Sequence, residues 1–127
     1  ETLLKKSDFI TINSAYTTTL KHMIDEREFG LMKKTAYLIN CARGPIVNEK
    51  SLVKALREKE IEGAALDVYE FEPNISDELK NMKNVVLTPH IGNATIETRD
   101  QMALCAAKNI IQVLKGESPY SPINKYK

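Results

Sequence analysis

The sequence has little net charge and no long apolar stretch, and each absence argues against one class of binding partner. Its 127 residues include 18 basic and 17 acidic side chains, which leaves a net charge of +1 at pH 7. A chain so balanced offers no electrostatic attraction for nucleic acid or for an anionic membrane surface. No apolar run approaches the roughly 18 residues that a membrane-spanning helix needs, so we expect no membrane partner.

Cysteine and histidine are also scarce, with two of each. Cys41 and Cys105 lie far apart, as do His22 and His90, and none of the four is at the short spacing of a metal-ligand pair. We therefore expect no structural zinc site and no other bound metal. Thiols without a partner are typical of a reducing compartment, so we predict a cytoplasmic protein with free cysteines.

Glycine is infrequent, and its spacing excludes one common motif. No two of the five glycines fall at the G-x-G-x-x-G spacing of a dinucleotide phosphate-binding loop. The five are Gly30, Gly44, Gly63, Gly92 and Gly116. These 127 residues therefore do not themselves contain such a loop.

The sequence does contain a regular alternation of strand-like and helix-like segments. Strands are predicted over residues 9–12, 37–41, 64–68 and 85–88, and helices over residues 25–32, 49–59 and 95–115, with one helical turn over 77–82. The strands are almost continuously apolar, which is typical of strands buried on both faces. The pattern predicts an α/β fold, a parallel sheet with helices on both faces.

Polar side chains follow three of the predicted strands. Arg43 comes after the second strand, Glu72 shortly after the third and His90 after the fourth, while Asp67 falls near the end of the third. Because parallel strands share one direction, these residues should lie at the same edge of the sheet, where ligands bind in such folds. A guanidinium, a carboxylate and an imidazole together can bind an anion and move a proton, which indicates an enzyme.

Three motifs surround these polar residues, over residues 38–49 (LINCARGPIVNE), 63–73 (GAALDVYEFEP) and 84–95 (NVVLTPHIGNAT). In order and spacing they resemble the motifs of the D-isomer-specific 2-hydroxyacid dehydrogenases, and the resemblance covers essentially the whole chain. It implies a Rossmann-type sheet.

The resemblance implies a catalytic role for three side chains. His90 would be the general acid that protonates the substrate carbonyl oxygen in reduction and the base in oxidation. Glu72 would orient it, since a carboxylate favours the protonated form of an imidazole, which otherwise titrates near pH ~6.5. Arg43 would hold the carboxylate of a 2-oxo acid through two parallel hydrogen bonds.

The same resemblance implies NAD or NADP as the cofactor, with NAD favoured. The residues expected against it are Cys41, Ala42, Arg43, Asp67, His90 and Gly92. Asp67 would face the nicotinamide carboxamide, and the backbone of Cys41, Ala42 and Gly92 would come close to the cofactor. Other interpretations stay open: Asp67 could cap a turn, and Gly92, like Gly44, could be a turn glycine. We assign no role to His22.

The family's glycine-rich loop and its substrate domain are absent from the sequence. We therefore expect residues 1–94 to be the C-terminal half of the NAD-binding Rossmann domain, residues 95–115 a long helix and residues 116–127 an extended tail. Such a chain should bind NAD weakly or not at all, and be inactive alone. The parent enzyme should be a homodimer, with residues 95–115 as one candidate interface.

Three functions are compatible with the sequence. The first is an NAD(P)-dependent reductase of small 2-oxo acids, with residues 44–47 and 71–73 most similar to the glyoxylate or hydroxypyruvate reductase branch and phosphoglycerate dehydrogenase as the nearest alternative. The second is a non-enzymatic scaffold that senses NAD, similar to the C-terminal-binding-protein corepressors. The third is a structural or assembly module.

Overall fold

A computed structural model describes residues 1–124 of the chain, which divides into two compact units. The first unit runs from Glu1 to Ile91 and the second begins at Gly92. Among the described residues, no helix combines the length and the apolar character required to cross a bilayer.

The first unit is built on a sheet of four parallel strands in the order β1-β2-β3-β4. The strands are β1 (Phe9–Ile12), β2 (Tyr37–Asn40), β3 (Gly63–Leu66) and β4 (Val85–Leu87). The predicted parallel α/β class is confirmed. Three of the predicted strands ran one or two residues too far, so that Cys41, Asp67 and Thr88 lie in the turns beyond the sheet.

One face of the sheet is covered by helices. Helix α2 (Glu26–Leu31) contributes Phe29 and helix α3 (Glu49–Arg57) contributes Leu52 to a core that they share with Leu38 of β2. All three side chains are almost completely removed from water. Burying a side chain of this size stabilises the fold by about 1.5–3 kcal/mol, so the burial of these three side chains contributes substantially to the stability of the unit.

The opposite face is exposed within residues 1–91, although the apolar strands had predicted helices on both faces. Phe9 and Val86 are 71% and 63% exposed, and the ring of Phe9 stacks on that of Tyr37 at 5.6 Å between centroids. The strand order explains the difference. When strands follow one another in sequence order and every crossover has the same hand, all the connecting helices fall on one face.

Asp25 joins the first turns of α2 and α3. Asp25 is the predicted N-cap of α2. It accepts a hydrogen bond from Glu26 N at 2.8 Å and forms a capping box with Glu28. Its carboxylate also accepts hydrogen bonds from the Ser51 hydroxyl at 2.5 Å and the Asn48 amide at 3.2 Å. The hydrogen bond from Ser51 is the main cause of a lowered Asp25 pKa, and it outweighs the opposing effect of burial.

Replacing Asp25 should destabilise the fold in a pH-dependent way. We expect Asp25→Ala to cost about 2 kcal/mol, because a helix cap is lost and two donors, the buried Ser51 hydroxyl and the half-buried Asn48 amide, lose their acceptor. Folding lowers the Asp25 pKa, so the charge-dependent part of this contribution is present above the unfolded value of about 3.9 and is lost as pH falls through the folded value. Urea unfolding should therefore give a smaller wild-type-to-variant difference at about pH 3 than at about pH 7.

The control for this prediction is Asp25→Asn, which keeps the shape and an acceptor oxygen but does not titrate. It should cost less than Asp25→Ala at neutral pH, and its own stability should not show the loss attributed to protonation of Asp25. An equal wild-type-to-alanine difference at both pH values would contradict the prediction.

The remaining helices of the first unit are short. Helix α4 (Asp77–Asn81) matches the predicted helical turn, whereas α1 (Thr2–Lys6) was not predicted. Helix α3 begins at the predicted cap, Asn48, but ends two residues earlier than predicted. It ends there because Lys59 adopts a left-handed backbone conformation, with φ +57°.

The second unit contains one long helix, α5 (Ile96–Leu114), close to the predicted bounds. Thr95 caps it through a hydrogen bond from Thr98 N to Thr95 Oγ1 at 3.2 Å. No residue of α5 is buried, and its apolar stripe is exposed at Met102 and Ile110. Of the predicted tail, residues 125–127 lie outside the described residues.

Candidate functional site

The turns beyond β2, β3 and β4 carry most of the predicted site residues. Cys41, Ala42 and Arg43 follow β2, Asp67 follows β3, and His90 lies three residues beyond β4. Because the strands are parallel and adjacent, these turns share one edge of the sheet. Ala42 and Asp67 are buried, whereas Cys41, Arg43 and His90 are exposed and available to a ligand.

The structure brings Glu72 and His90 together. His90 Nδ1 lies 3.1 Å from Glu72 Oε2, and Tyr69 N donates to the other carboxylate oxygen, Glu72 Oε1, at 3.0 Å. Partial burial acts to raise the pKa of Glu72, but these two hydrogen bonds and the charges of His90 and Arg43 together lower it. Glu72 is therefore a carboxylate at neutral pH. It can accept a hydrogen bond from His90 Nδ1–H, which leaves Nε2 of the ring for a substrate.

Asp67 shapes the turn that presents His90. Asp67 Oδ1 accepts hydrogen bonds from the Thr88 hydroxyl at 2.5 Å and from Ile91 N at 2.8 Å. His90 itself has a left-handed backbone, with φ +53°, and its N–H donates to Thr88 O at 3.1 Å. A non-glycine residue in this conformation is uncommon and is often found at functional sites. The alternative interpretation of Asp67, a turn cap, thus has direct structural support, and a cofactor contact remains a prediction.

Asn40 holds the turn that carries Arg43, and its importance was not predicted. Its side chain is 1% exposed. Asn40 Oδ1 accepts from Ala42 N at 3.0 Å, and Asn40 Nδ2 donates to Arg43 O at 3.1 Å. The main-chain carbonyl of Asn40 also accepts a hydrogen bond, from Asp67 N at 3.0 Å. The signal in the sequence was an asparagine at the end of an apolar strand. A side chain there is expected to be buried, and a buried amide needs hydrogen-bond partners.

Removing the Asn40 amide should destabilise the fold by about 2 kcal/mol, because Asn40→Ala leaves the buried Ala42 N–H without its acceptor and removes one of two donors to Arg43 O, the other being Ile46 N. Urea unfolding measures this loss. Asn81→Ala is the matched control: the exposed Asn81 amide donates to Asp77 O, so its removal should change stability by no more than about 0.5 kcal/mol. Equal effects of the two substitutions would refute the role given to Asn40.

A cleft of about 410 Å³ adjoins the Glu72–His90 pair. It is lined by Tyr69, Glu72, Pro73, Ile75, Pro89 and His90. Tyr69 was not predicted as a site residue, yet its hydroxyl donates to Thr88 O at 2.7 Å and its amide holds Glu72. Burial, and then the charge of Asp67, raise the pKa of Tyr69. Tyr69 therefore stays protonated and ties the Glu72 loop to the His90 turn.

His22, to which we assign no role from the sequence, forms a second histidine–carboxylate pair. His22 Nε2 lies 2.7 Å from Glu70 Oε1. Glu70 is separated from His22 by 48 positions, so no local pattern could have predicted the pair.

Five of the six predicted cofactor residues, all but Gly92, belong to the first unit. Cys41 is an exposed free thiol one residue beyond β2. Gly92 is the first residue of the second unit. In the part of the chain that the structure describes, no group of three or more histidine, cysteine, aspartate or glutamate side chains could hold a metal ion.

Comparison with known proteins matches this arrangement to one family. Residues 1–92 match the model of the D-isomer specific 2-hydroxyacid dehydrogenase, NAD binding domain. A protein of Staphylococcus epidermidis that carries the provisional name 2-hydroxyacid dehydrogenase is 64% identical over 124 residues, which are 98% of this chain and 39% of that protein. The chain thus spans about two fifths of the length of the curated relatives it matches.

Solved structures give the same result at the level of the fold. The holo form of D-mandelate dehydrogenase from Rhodotorula graminis superposes with a TM-score of 0.92 at 37% identity, over 99% of this chain and 37% of that one. An NADPH-dependent glyoxylate/hydroxypyruvate reductase from Sinorhizobium meliloti, in complex with NADP and malonate, has a TM-score of 0.92 at 29% identity, over 96% of this chain and 38% of that one. The chain belongs to the D-isomer specific 2-hydroxyacid dehydrogenase family and carries the Rossmann-like fold of its NAD-binding domain.

Proposed function

We propose that this chain carries the proton-transfer and carboxylate-binding residues of an enzyme that interconverts a small 2-oxo acid and a D-2-hydroxy acid. The observation that carries the proposal is the contact of 3.1 Å between His90 Nδ1 and Glu72 Oε2 at the carboxyl edge of the sheet. Arg43 stands on a neighbouring turn of the same edge, close enough for its charge to lower the Glu72 pKa.

In this proposal each side chain acts on a different atom of the substrate. The Arg43 guanidinium pairs with the substrate carboxylate, for which its planar geometry is suited. His90 Nε2 gives a proton to the carbonyl oxygen during reduction and removes it during oxidation. The Glu72 carboxylate stabilises the imidazolium and fixes the ring. A bound nicotinamide dinucleotide would supply or accept the hydride.

The cofactor residues remain those expected from the sequence: Cys41, Ala42, Arg43, Asp67, His90 and Gly92. The turn after β2 suits this role because Cys41 and Arg43 are exposed there, at the edge where ligands of such sheets bind. The family's domain is described as NAD-binding, and one structural neighbour is an NADP complex. We favour NAD.

We also propose how the chain is organised. Residues 1–94 would form the C-terminal half of the nucleotide-binding domain, followed by the helix over 95–115 and the tail over 116–127. The isolated chain should then bind NADH weakly or not at all, and saturable binding at micromolar NADH would contradict this. We expect a cytoplasmic homodimer, in keeping with the two free cysteines of the described residues and the exposed stripe of α5.

Glyoxylate or hydroxypyruvate is our proposed substrate, and a glyoxylate/hydroxypyruvate reductase among the structural neighbours is in keeping with it. The test is oxidation of NADH and NADPH by the full-length natural polypeptide that contains this chain. The substrates would be glyoxylate, hydroxypyruvate, pyruvate and 3-phosphohydroxypyruvate. Turnover with the first two supports the proposal, and turnover confined to the last would favour phosphoglycerate dehydrogenase. Cofactor binding without turnover would favour a scaffold that senses the dinucleotide.

A further inference from the structure

His22 bridges the two loops that carry the proposed catalytic groups. Its backbone N–H donates to Pro45 O at 2.9 Å, within the turn that follows Arg43. Its side chain reaches the other loop, where Nε2 lies 2.7 Å from Glu70 Oε1. Since an ionised carboxylate only accepts hydrogen bonds, Nε2–H is the donor. One residue therefore connects the Arg43 turn to the segment that leads to Glu72.

Glu70 and Glu49 close this connection from the other side. Glu49 N donates to Glu70 Oε2 at 3.0 Å, and Glu70 N donates to Glu49 Oε2 at 3.2 Å. The remaining oxygen, Glu49 Oε1, accepts from Ser76 N at 3.3 Å. Glu49 is 6% exposed, and the Glu70 side chain 10% exposed. Two carboxylates with so little access to water are costly unless every oxygen has a donor, and here the fourth donor is His22.

The connection is short on both sides of the site. Arg43 precedes Gly44, whose backbone packs directly against that of Tyr69 and Glu70. Glu70 is two residues before Glu72, and Tyr69 N holds the Glu72 carboxylate at 3.0 Å. Glu70 is therefore in close contact with the turn that carries Arg43 and only two residues from the partner of His90.

We propose that His22, acting through Glu70 and Glu49, is a positioning residue that sets the Arg43 guanidinium relative to the Glu72–His90 pair. The inference rests on the proposed function, because it assigns His22 a role in holding the substrate carboxylate in register with the proton donor. His22 does not touch the substrate in this account. Its loss should weaken substrate binding more than it slows the chemical step.

Two substitutions separate this role from a purely structural one. His22 has a left-handed backbone, with φ +54°, a conformation in which asparagine, like histidine, is enriched among non-glycine residues. His22→Asn suits that backbone but is too short to reach Glu70, whereas His22→Gln places an amide N–H near the position of Nε2. If only the backbone of His22 matters, the KM of the asparagine variant should be no higher than that of the glutamine variant. If the His22 side chain positions the site, the asparagine variant should have the higher KM.

The experiment measures KM for the 2-oxo acid and kcat separately in the full-length natural polypeptide. His22→Asn should raise KM roughly tenfold, the loss expected for one charge-assisted hydrogen bond, with a smaller change in kcat. His22→Gln should restore most of the wild-type KM. Equal KM values for wild type and both variants, or recovery by asparagine rather than glutamine, would overturn the proposal.

Amide hydrogen exchange provides a readout that does not depend on activity. The N–H groups of Glu49 and Glu70 should exchange roughly tenfold faster in His22→Asn than in wild type, and close to the wild-type rate in His22→Gln. Unchanged exchange in His22→Asn would refute the connection itself. Faster exchange with an unchanged KM would leave the proposed function standing and refute the positioning role. No turnover by the wild type would refute the proposed function and the positioning role, even if exchange still shows the connection.

Discussion

His90→Ala is expected to lower kcat for 2-oxo acid reduction by roughly 10²–10⁴, the usual contribution of a positioned general acid. The reason is chemical, because alanine offers no proton to the carbonyl oxygen as it gains negative charge. The Glu72 carboxylate, which lies 3.1 Å from His90 Nδ1 through Oε2, would also lose the cation it stabilises. Steady-state oxidation of NADH by the full-length natural polypeptide measures the effect, with cofactor affinity determined separately by fluorescence titration.

The backbone of His90 makes a second variant necessary. At φ +53° an alanine is strained, so part of any loss could come from a displaced turn. His90→Asn is the matched control, since asparagine tolerates the left-handed conformation but carries no titratable proton. Both variants should lose activity to a similar extent. Retention of activity by the asparagine variant would mean that the turn, and not the imidazole, is what the reaction requires.

Much of the sheet could be predicted because its signals are local. A strand such as β1 (Phe9–Ile12) is a run of residues that favour extended backbone, and a helix such as α3 begins where Asn48 can cap it. The parallel arrangement then follows from the alternation of the elements. The exposure of the second face within residues 1–91 did not follow, because apolar strands predict that helices cover them without revealing on which side each crossover lies.

The predicted catalytic residues share one property, which is their place just beyond a strand. Arg43 and His90 each follow a strand closely, and Glu72 comes six residues after β3, so counting along the chain was enough to place them at one edge. Their roles stay predictions, but the structure places Glu72 Oε2 and His90 Nδ1 within hydrogen-bonding distance. A left-handed φ at His90 could not have been read from the sequence, because the turn is shaped by Asp67, which lies in the turn after the neighbouring strand β3.

The supporting residues were missed for a different reason. His22 and Glu70, or Glu49 and Glu70, become partners only when segments distant in the chain are packed together. When a carboxylate in a polar segment becomes buried on folding, the residues next to it in sequence do not indicate which hydrogen-bond donors it will contact. Such pairs depend on the tertiary structure, which is why they can be identified from coordinates and not from spacing.

Gly44→Ala is expected to destabilise the protein by about 3 kcal/mol or more, the largest stability effect that we predict for a single methyl group in this chain. A Cβ at this position would lie 1.9 Å from both the carbonyl carbon and the carbonyl oxygen of Tyr69, and 2.4 Å from Glu70 N. These are backbone atoms, held in place by the hydrogen bond from Tyr69 N to Glu72 and by that from Glu70 N to Glu49. The neighbours therefore have no flexible side chain that could move aside, and close approach rather than chain flexibility requires glycine here.

The same clash should separate the Arg43 turn from the loop that carries Glu72, so that any Gly44→Ala protein that folds should also lose 2-oxo acid turnover. Gly30→Ala is the matched control, since a Cβ at Gly30 meets no atom within 4 Å and the residue lies inside α2. That substitution should stabilise the fold by about 0.5–1 kcal/mol, because alanine loses less backbone entropy than glycine in a helix. Urea unfolding of the two variants compares the addition of one methyl group at a position where it clashes with the addition of one at a position where it meets no atom. Suppose that the free energy of unfolding of Gly44→Ala lies within about 0.5 kcal/mol of the wild-type value. The packing of residue 44 against residues 69–70 could then not be what holds the Arg43 turn against the loop that carries Glu72.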